Sequence, residues 1–136
     1  MWITRRVEFS ASHSCYNAAL SEAENDALYG ADANPHGHGH NYRLEVTLEG
    51  EPHPVTGMVV DLKDVKSILE TEILTSMDHR HLNFEVPPFD VVVPTPENLA
   101  VEMWRRLAPR FAEGPARLRN VRLFETEDLF VDYEGR

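Results

Sequence analysis

The chain has 136 residues, with 13 Lys and Arg against 23 Asp and Glu, and therefore a formal net charge of −10. This length suits a single domain, residues 1–136, with one hydrophobic core. The negative charge argues against a nucleic-acid partner, because a phosphate backbone attracts positive charge. No apolar run exceeds three residues, so we expect no membrane span. The single cysteine, Cys15, excludes a disulfide framework and favours a reducing compartment, the cytoplasm.

Two segments with alternating apolar and polar residues predict half-buried strands. The first covers residues 1–13 and the second covers residues 40–49. Residues 14–37, between them, have no clear periodicity and leave room for short helical turns. A connection of that length without regular structure is typical of a functional loop.

Two amphipathic helices are predicted in the second half of the chain. Asp61 is a favourable N-cap for the first, whose apolar residues recur every three or four positions: Leu62, Val65, Leu69, Ile73 and Met77. The proline-rich segment 80–94 is expected to be irregular. Thr95 then caps a second helix that opens with Pro96. Its apolar face consists of Leu99, Met103, Leu107 and Phe111.

Two strands, about 117–126 and 129–134, are predicted to close the chain through a tight turn at residues 127–128. The order of elements is then strand, strand, helix, helix, strand, strand. Such an order favours an α+β fold in which a four-stranded antiparallel sheet carries two helices on one face.

Histidines cluster where the second strand begins. His36, His38 and His40 alternate with glycine, and side chains two positions apart on a strand share a face. His13 continues the inward-facing row of the first strand, so antiparallel pairing would bring it beside them. Three histidines with an open fourth position describe a catalytic zinc site. Parity alone does not choose between His36, His38 and His40, and the alternative is a merely polar loop.

Three further features allow both a functional and a structural interpretation. Asp78 and His79 follow the first helix, either as an acid–base pair or as polar groups at a helix C-terminus. Glu125 shares the parity of apolar strand residues. It either pairs with an internal arginine or binds the amino-pyrimidinone edge of a pterin or guanine. Cys15 is either a small buried hydrophobe or a thiol activated near the metal.

Six motifs occur in order along nearly the whole chain: FSASH (9–13), NPHGHGHNY (34–42), GMV (57–59), MDHRHLN (77–83), TPENLA (95–100) and FET (124–126). Together they resemble the motifs of the family of 6-pyruvoyltetrahydropterin and 6-carboxytetrahydropterin synthases. The resemblance implies the tunnelling fold, or T-fold, in which trimers close a barrel and two trimers stack as a homohexamer. It also implies a lyase that acts on 7,8-dihydroneopterin triphosphate, a pterin substrate.

The same resemblance assigns roles to individual residues. It implies that His13, His38 and His40 bind Zn²⁺ and that His36 lies outside the metal site. It makes Asp78 and His79 a catalytic pair and Glu125 the anchor of the pterin ring. The remaining implied contacts of the pterin pocket are Thr95 and Glu97.

One position departs from the family pattern. In eukaryotic-type members a catalytic cysteine stands six positions before the first histidine of the zinc pair, and here that position holds Asp32. In 6-carboxytetrahydropterin synthases the cysteine stands four positions before that histidine, and here that position holds Asn34. Asp32 is therefore one candidate for the catalytic base, and Cys15, two residues after His13, is the other.

The missing cysteine leaves several activities open. The first expectation is a pyruvoyltetrahydropterin synthase. The alternatives are a 6-carboxytetrahydropterin synthase of queuosine synthesis, an enzyme that cleaves the side chain to 6-hydroxymethyl-dihydropterin, and a non-catalytic pterin-binding relative.

Overall fold

The computed structural model describes all 136 residues, Met1–Arg136. Five strands form one sheet: β1 (Trp2–His13), β2 (His38–Gly50), β3 (Arg80–His81), β4 (Ala116–Thr126) and β5 (Leu129–Tyr133). Their order across the sheet is β3-β1-β2-β4-β5. The long strands pair antiparallel, and only β3 runs parallel to its neighbour β1. The four predicted strands are confirmed.

The expected strand count is one too low, and segment 80–94 is more regular than expected. It contains β3 and a short helix that follows at once. Strand β3 has only two residues, which pair with Ala11 and Ser12 of β1. Two residues are too few to produce a periodic pattern, so the sequence carried no signal for this strand.

The helical segments are α1 (Glu22–Tyr29), a 3-10 turn (Gly30–Ala33), α2 (Leu62–Leu69), a π-helical turn (Glu70–Leu74), α3 (Thr75–Met77), α4 (Leu82–Glu85) and α5 (Pro96–Phe111). The predicted caps are confirmed: Asp61 accepts a hydrogen bond from the backbone of Lys63, and Thr95 accepts one from Asn98. The first predicted helix is interrupted by the π turn. The expected count of two helices is therefore too low.

Most of the core lies between the sheet and the two longer amphipathic segments. It contains 22 buried hydrophobic residues, to which β2 contributes Tyr42, Leu44, Val46 and Leu48. These four alternate with more exposed residues, as the sequence pattern predicts. None of the helices combines the length and apolar character needed to cross a lipid bilayer.

The β1–β2 register determines where the histidines meet. His13 lies directly opposite His38, and Ala11 lies opposite His40. The end of β1 and the beginning of β2 therefore bring together, at one end of the sheet, side chains that are 25 and more positions apart in sequence.

Candidate metal centre and active site

Three imidazoles converge at this end of the sheet. The Nε2 atom of His13 lies 3.1 Å from Nε2 of His38 and 3.2 Å from Nε2 of His40. The ligand atoms of all three lie within 4.8 Å of one another. His36, the other candidate of the motif, is exposed and lies outside this group.

The orientation of His13 is fixed by a loop contact. Its Nδ1 lies 2.7 Å from the carbonyl oxygen of Pro94, to which it donates a hydrogen bond, so the Nε2 lone pair faces the other two rings. A backbone carbonyl in this role is a common second partner of metal-binding histidines. His13 is 1% exposed. The pKa of His13 is lowered to about 4, chiefly by burial and also by the neighbouring His38 and His40, while the hydrogen bond to Pro94 opposes the shift.

The histidine triad fits a zinc ion on chemical grounds. Tetrahedral zinc at about 2.05 Å from each nitrogen would separate its ligand atoms by about 3.3 Å, close to the two distances measured from His13. Metal binding also requires neutral imidazoles. Burial lowers the pKa of His40 as well as that of His13, which favours the neutral form of both rings.

Asp32 and Cys15 occupy very different surroundings. The Asp32 carboxylate lies 3.6 Å from Nε2 of His38 and its side chain is 62% exposed. Cys15 is buried, and its backbone N–H donates to the carbonyl of Asp32 over 2.8 Å. Burial raises the pKa of the Cys15 thiol to about 11, and the negative charge of Asp32 contributes to the rise. The thiol is therefore protonated near neutral pH, whereas the carboxylate reaches the triad.

Glu125 lies on the other side of His40. Its Oε1 is 3.9 Å from Nε2 of His40, and its Oε2 is buried without a hydrogen-bond partner. No arginine pairs with it, which rules out the internal ion pair that the sequence left open. Burial raises the pKa of Glu125, and the charges of Asp32 and Glu97 raise it further. The Glu125 carboxylate therefore has no hydrogen-bond donor from the rest of the chain at Oε2.

Thr95 and Glu97 reach the site through the start of α5. Thr95 follows Pro94, whose carbonyl holds His13, and its hydroxyl caps the helix by accepting from Asn98 over 3.3 Å. Glu97 is exposed, but its charge contributes to the raised pKa values of both Glu125 and Cys15. The N-terminus of α5 therefore lies close to the histidine triad.

Asp78 and His79 form a pair on the side of β1 that faces away from β2. Asp78 Oδ1 lies 2.9 Å from Nδ1 of His79 and also accepts the backbone N–H of Ser10. His79 has a positive φ of 59°, which is uncommon for a residue other than glycine and is found at functional sites. Its imidazole is 82% exposed. His79 and His40 line the same surface cleft of about 520 Å³.

A second cleft, of about 390 Å³, contains His40 together with Glu125. The largest cavity, about 660 Å³, lies beside the site and contains none of the predicted site residues. Cavity size therefore does not single out the predicted site residues. His40 borders both clefts that carry predicted catalytic or binding residues.

Sequence reasoning missed three contacts of the site. The Pro94 carbonyl is a backbone acceptor in a loop, and nothing in the sequence marks it. Asn83 pairs with the backbone of Ser14 in both directions, at 2.8 and 2.9 Å, and so continues β1 past its end. Tyr42 packs its ring edgewise against His13 and His40. Burial raises the pKa of Tyr42 well above its usual range, and Glu125 raises it further.

The chain matches the family model described as 6-pyruvoyl tetrahydropterin synthase over residues 2–136. It is 44% identical over 133 residues to a human 6-pyruvoyl tetrahydrobiopterin synthase, covering 98% of this chain and 90% of that protein. The structure of Caenorhabditis elegans 6-pyruvoyl tetrahydropterin synthase is similar with a TM-score of 0.94 and 37% identity, covering 100% of this chain and 96% of that one. The expected α+β T-fold is confirmed.

A more distant relative carries a different name. A putative 6-carboxy-5,6,7,8-tetrahydropterin synthase of Archaeoglobus fulgidus is 34% identical over 95 residues, which is 70% of this chain and 73% of that protein. Two of the three products considered from the sequence are thus represented in the names of these relatives.

Proposed function

The chain belongs to the 6-pyruvoyl tetrahydropterin synthase family, and we propose that it is a zinc-dependent lyase that converts 7,8-dihydroneopterin triphosphate to 6-pyruvoyltetrahydropterin. The convergence of His13, His38 and His40 is the observation that carries the proposal. When bound, zinc would polarise an oxygen ligand and lower the pKa of a substrate hydroxyl. A single domain, residues 1–136, carries the site.

Asp32 takes the role of catalytic base in this proposal. Its carboxylate lies beside the triad, whereas Cys15 is buried with a raised thiol pKa and is protonated at neutral pH. The Asp32 side chain is well solvated in the free protein, so bound substrate must displace water before the carboxylate becomes an effective base. Asp32 then accepts a proton from the substrate side chain as triphosphate leaves.

Glu125 and the Asp78–His79 pair have separate tasks. Glu125 accepts hydrogen bonds from the amino-pyrimidinone edge of the pterin, for which a carboxylate is suited. Thr95 and Glu97 complete that pocket from the start of α5. Asp78 holds Nδ1 of His79, which leaves Nε2 of the exposed ring free to give or accept a proton.

A product assay tests the proposal directly. Zinc-loaded protein is incubated with 7,8-dihydroneopterin triphosphate, and the pterin product is identified by mass spectrometry. 6-Pyruvoyltetrahydropterin supports the proposal. 6-Carboxytetrahydropterin or 6-hydroxymethyl-dihydropterin would replace it with another family activity, and pterin binding without turnover would identify a binding protein.

Two variants assign the base. We expect Asp32→Asn to lower kcat by a factor of at least about 10², the lower end for general-base catalysis, and Cys15→Ala to keep kcat within about threefold. The opposite pattern would assign the thiol as the base. Both variants should retain zinc, since neither residue belongs to the triad.

We also propose a homohexamer of two trimers. Strand β5 has a neighbour on one side only, and β3 covers only Ala11 and Ser12 of β1, so both edges of the sheet offer unpaired backbone groups. Phe84 and Val91 are also 79% and 82% exposed. Sedimentation should give about six times the chain mass of 15.5 kDa, and a monomer would refute this assembly.

A further inference from the structure

Two buried oxygen atoms in the site have no hydrogen-bond partner. One is the hydroxyl of Tyr42, a residue that is 0% exposed, and the other is Oε2 of Glu125. Nearly all buried polar atoms in proteins are paired, because an unpaired one loses its bonds to water without replacement. Two such atoms in one site therefore call for a common explanation.

These two side chains come together where the β2–β4 pairing ends, and both lie against His40. The β2–β4 pairs run as far as Arg43 with Phe124, and Tyr42 and Glu125 are the next residues on their strands. β4 is irregular at this point in its pairing with β5. The rings of Tyr42 and His40 have centroids 5.5 Å apart, and Oε1 of Glu125 lies 3.9 Å from Nε2 of His40. A phenol donates a hydrogen bond and a carboxylate accepts one, so the two groups are complementary.

The Tyr42 ring cannot easily turn away from this position. It stacks on Phe9 with ring centroids 5.0 Å apart and an angle of 12° between the planes, and it also packs against His40 at 5.5 Å and His13 at 6.2 Å. This packing fixes the direction of the hydroxyl. The Glu125 carboxylate is less constrained, since Oε2 has no hydrogen-bond partner and Oε1 lies 3.9 Å from Nε2 of His40.

We propose that Tyr42 is a positioning residue for Glu125: its hydroxyl donates, through one buried water, to Oε2 and so fixes the carboxylate with Oε1 presented to the ligand. Two polar partners are enough to hold a buried water. The inference rests on the proposed function, in which Glu125 anchors the pterin ring. Tyr42 itself does not touch the ligand, because its hydroxyl is buried.

A double-mutant cycle tests this coupling. Tyr42→Phe removes one oxygen atom and keeps the ring, and neopterin binding to the zinc-loaded protein is followed by fluorescence. We expect Tyr42→Phe to weaken binding by about 5- to 10-fold, as for loss of one typical hydrogen bond. In a Glu125→Ala background the same change should have an effect of less than about twofold. Tyr133→Phe is the matched control and should change nothing.

Each other outcome contradicts the proposal. If Tyr42→Phe binds neopterin as the wild type does, the hydroxyl positions nothing. If it weakens binding equally in both backgrounds, Tyr42 acts without Glu125. The melting temperature serves as the check on folding, because a purely structural loss would lower it in both backgrounds.

Crystal structures of the wild type and of Tyr42→Phe test the coupling between Tyr42 and Glu125 in the absence of ligand. We expect a water between the two oxygens in the wild type, and a shifted or disordered Glu125 carboxylate in the variant. An unchanged carboxylate would overturn the inference. If the wild type binds no pterin while Glu125 does move in the variant, the proposed function fails and the coupling stands.

Discussion

Two buried polar clusters in this molecule differ in how completely their atoms are paired. On α5, Glu102 is 5% exposed and accepts hydrogen bonds from both Arg105 and Arg106. Arg106 also donates to the hydroxyl of Ser76 and to the carbonyl of Pro87. At the histidine end of the sheet, by contrast, the hydroxyl of Tyr42 and Oε2 of Glu125 are buried without partners.

The difference separates stability from binding. The Glu102 cluster joins α5 to α3 through Ser76 and to the loop before α5 through Pro87, and its donors are used within the fold. The histidine end of the sheet keeps buried oxygens that have no partner within the chain, at a cost in folding free energy. Changes in the first cluster should therefore alter unfolding, and changes in the second should alter binding.

The largest effect is expected for His13→Ala. Removal of one ligand of the triad should lower zinc affinity by more than the roughly 100-fold caused by loss of an outer contact, so the purified variant should contain little metal. Metal content is measured by mass spectrometry of the protein digest. His36→Ala is the matched control, because His36 is exposed and lies outside the triad. Stoichiometric zinc in His13→Ala would show that the site lies elsewhere.

Glu102→Gln tests the fully paired cluster on α5. It removes the charge that pairs with Arg106, whose side chain is only 16% exposed. Loss of one partner of a buried ion pair costs about 3 kcal/mol, which urea unfolding at pH 7 would detect. Glu113→Gln, on the exposed end of the same region, should stay within about 0.5 kcal/mol. Zinc content should be unchanged, and its loss would contradict the separation of the two clusters.

Acid should weaken the Glu102 cluster in the wild type only. Burial raises the pKa of Glu102, but the hydrogen bonds from Arg105 and Arg106 lower it by more, so the pKa lies below its usual value. A carboxyl with a lowered folded-state pKa stabilises fully above its unfolded value of about 4.3 and loses this contribution as the pH falls through the folded value. The unfolding free energies of wild type and Glu102→Gln in urea should therefore converge only as the pH falls below about 4, whereas a constant difference would contradict the lowered pKa.

The sequence predicts the elements whose signals are local. Strand alternation identified β1, β2, β4 and β5, and the cap residues Asp61 and Thr95 marked the helix starts. Strand β3 was not predicted, because it is only two residues long. Helix α1 was expected only as short helical turns somewhere in residues 14–37, because that segment has no apolar periodicity to fix its bounds. The π turn was hidden, since the apolar spacing of four continues through it.

The candidate site was predictable only in its side-chain types. Strand parity brought His13 toward the motif, but the choice of His38 and His40 came from the resemblance. The orienting carbonyl of Pro94 belongs to a loop whose path the sequence does not specify. The approach of Tyr42 and Glu125 to the same side chain, His40, depends on how β2 and β4 pair, which a single strand pattern cannot supply.

The smallest effect is expected at Asn83, which supplies fully paired hydrogen bonds inside the binding region. Its amide both accepts from the Ser14 N–H and donates to the Ser14 carbonyl, and Ser14 follows the ligand His13. Asn83→Ala should lower stability by about 1–2 kcal/mol, the cost of leaving buried backbone groups unpaired, whereas Asn41→Ala at the exposed surface should have little effect. Because His13 keeps its own bond to Pro94, zinc affinity should fall by less than about 10-fold. A loss of zinc as complete as in His13→Ala would mean that the Asn83–Ser14 hydrogen bonds and zinc binding are not separable at this end of the sheet.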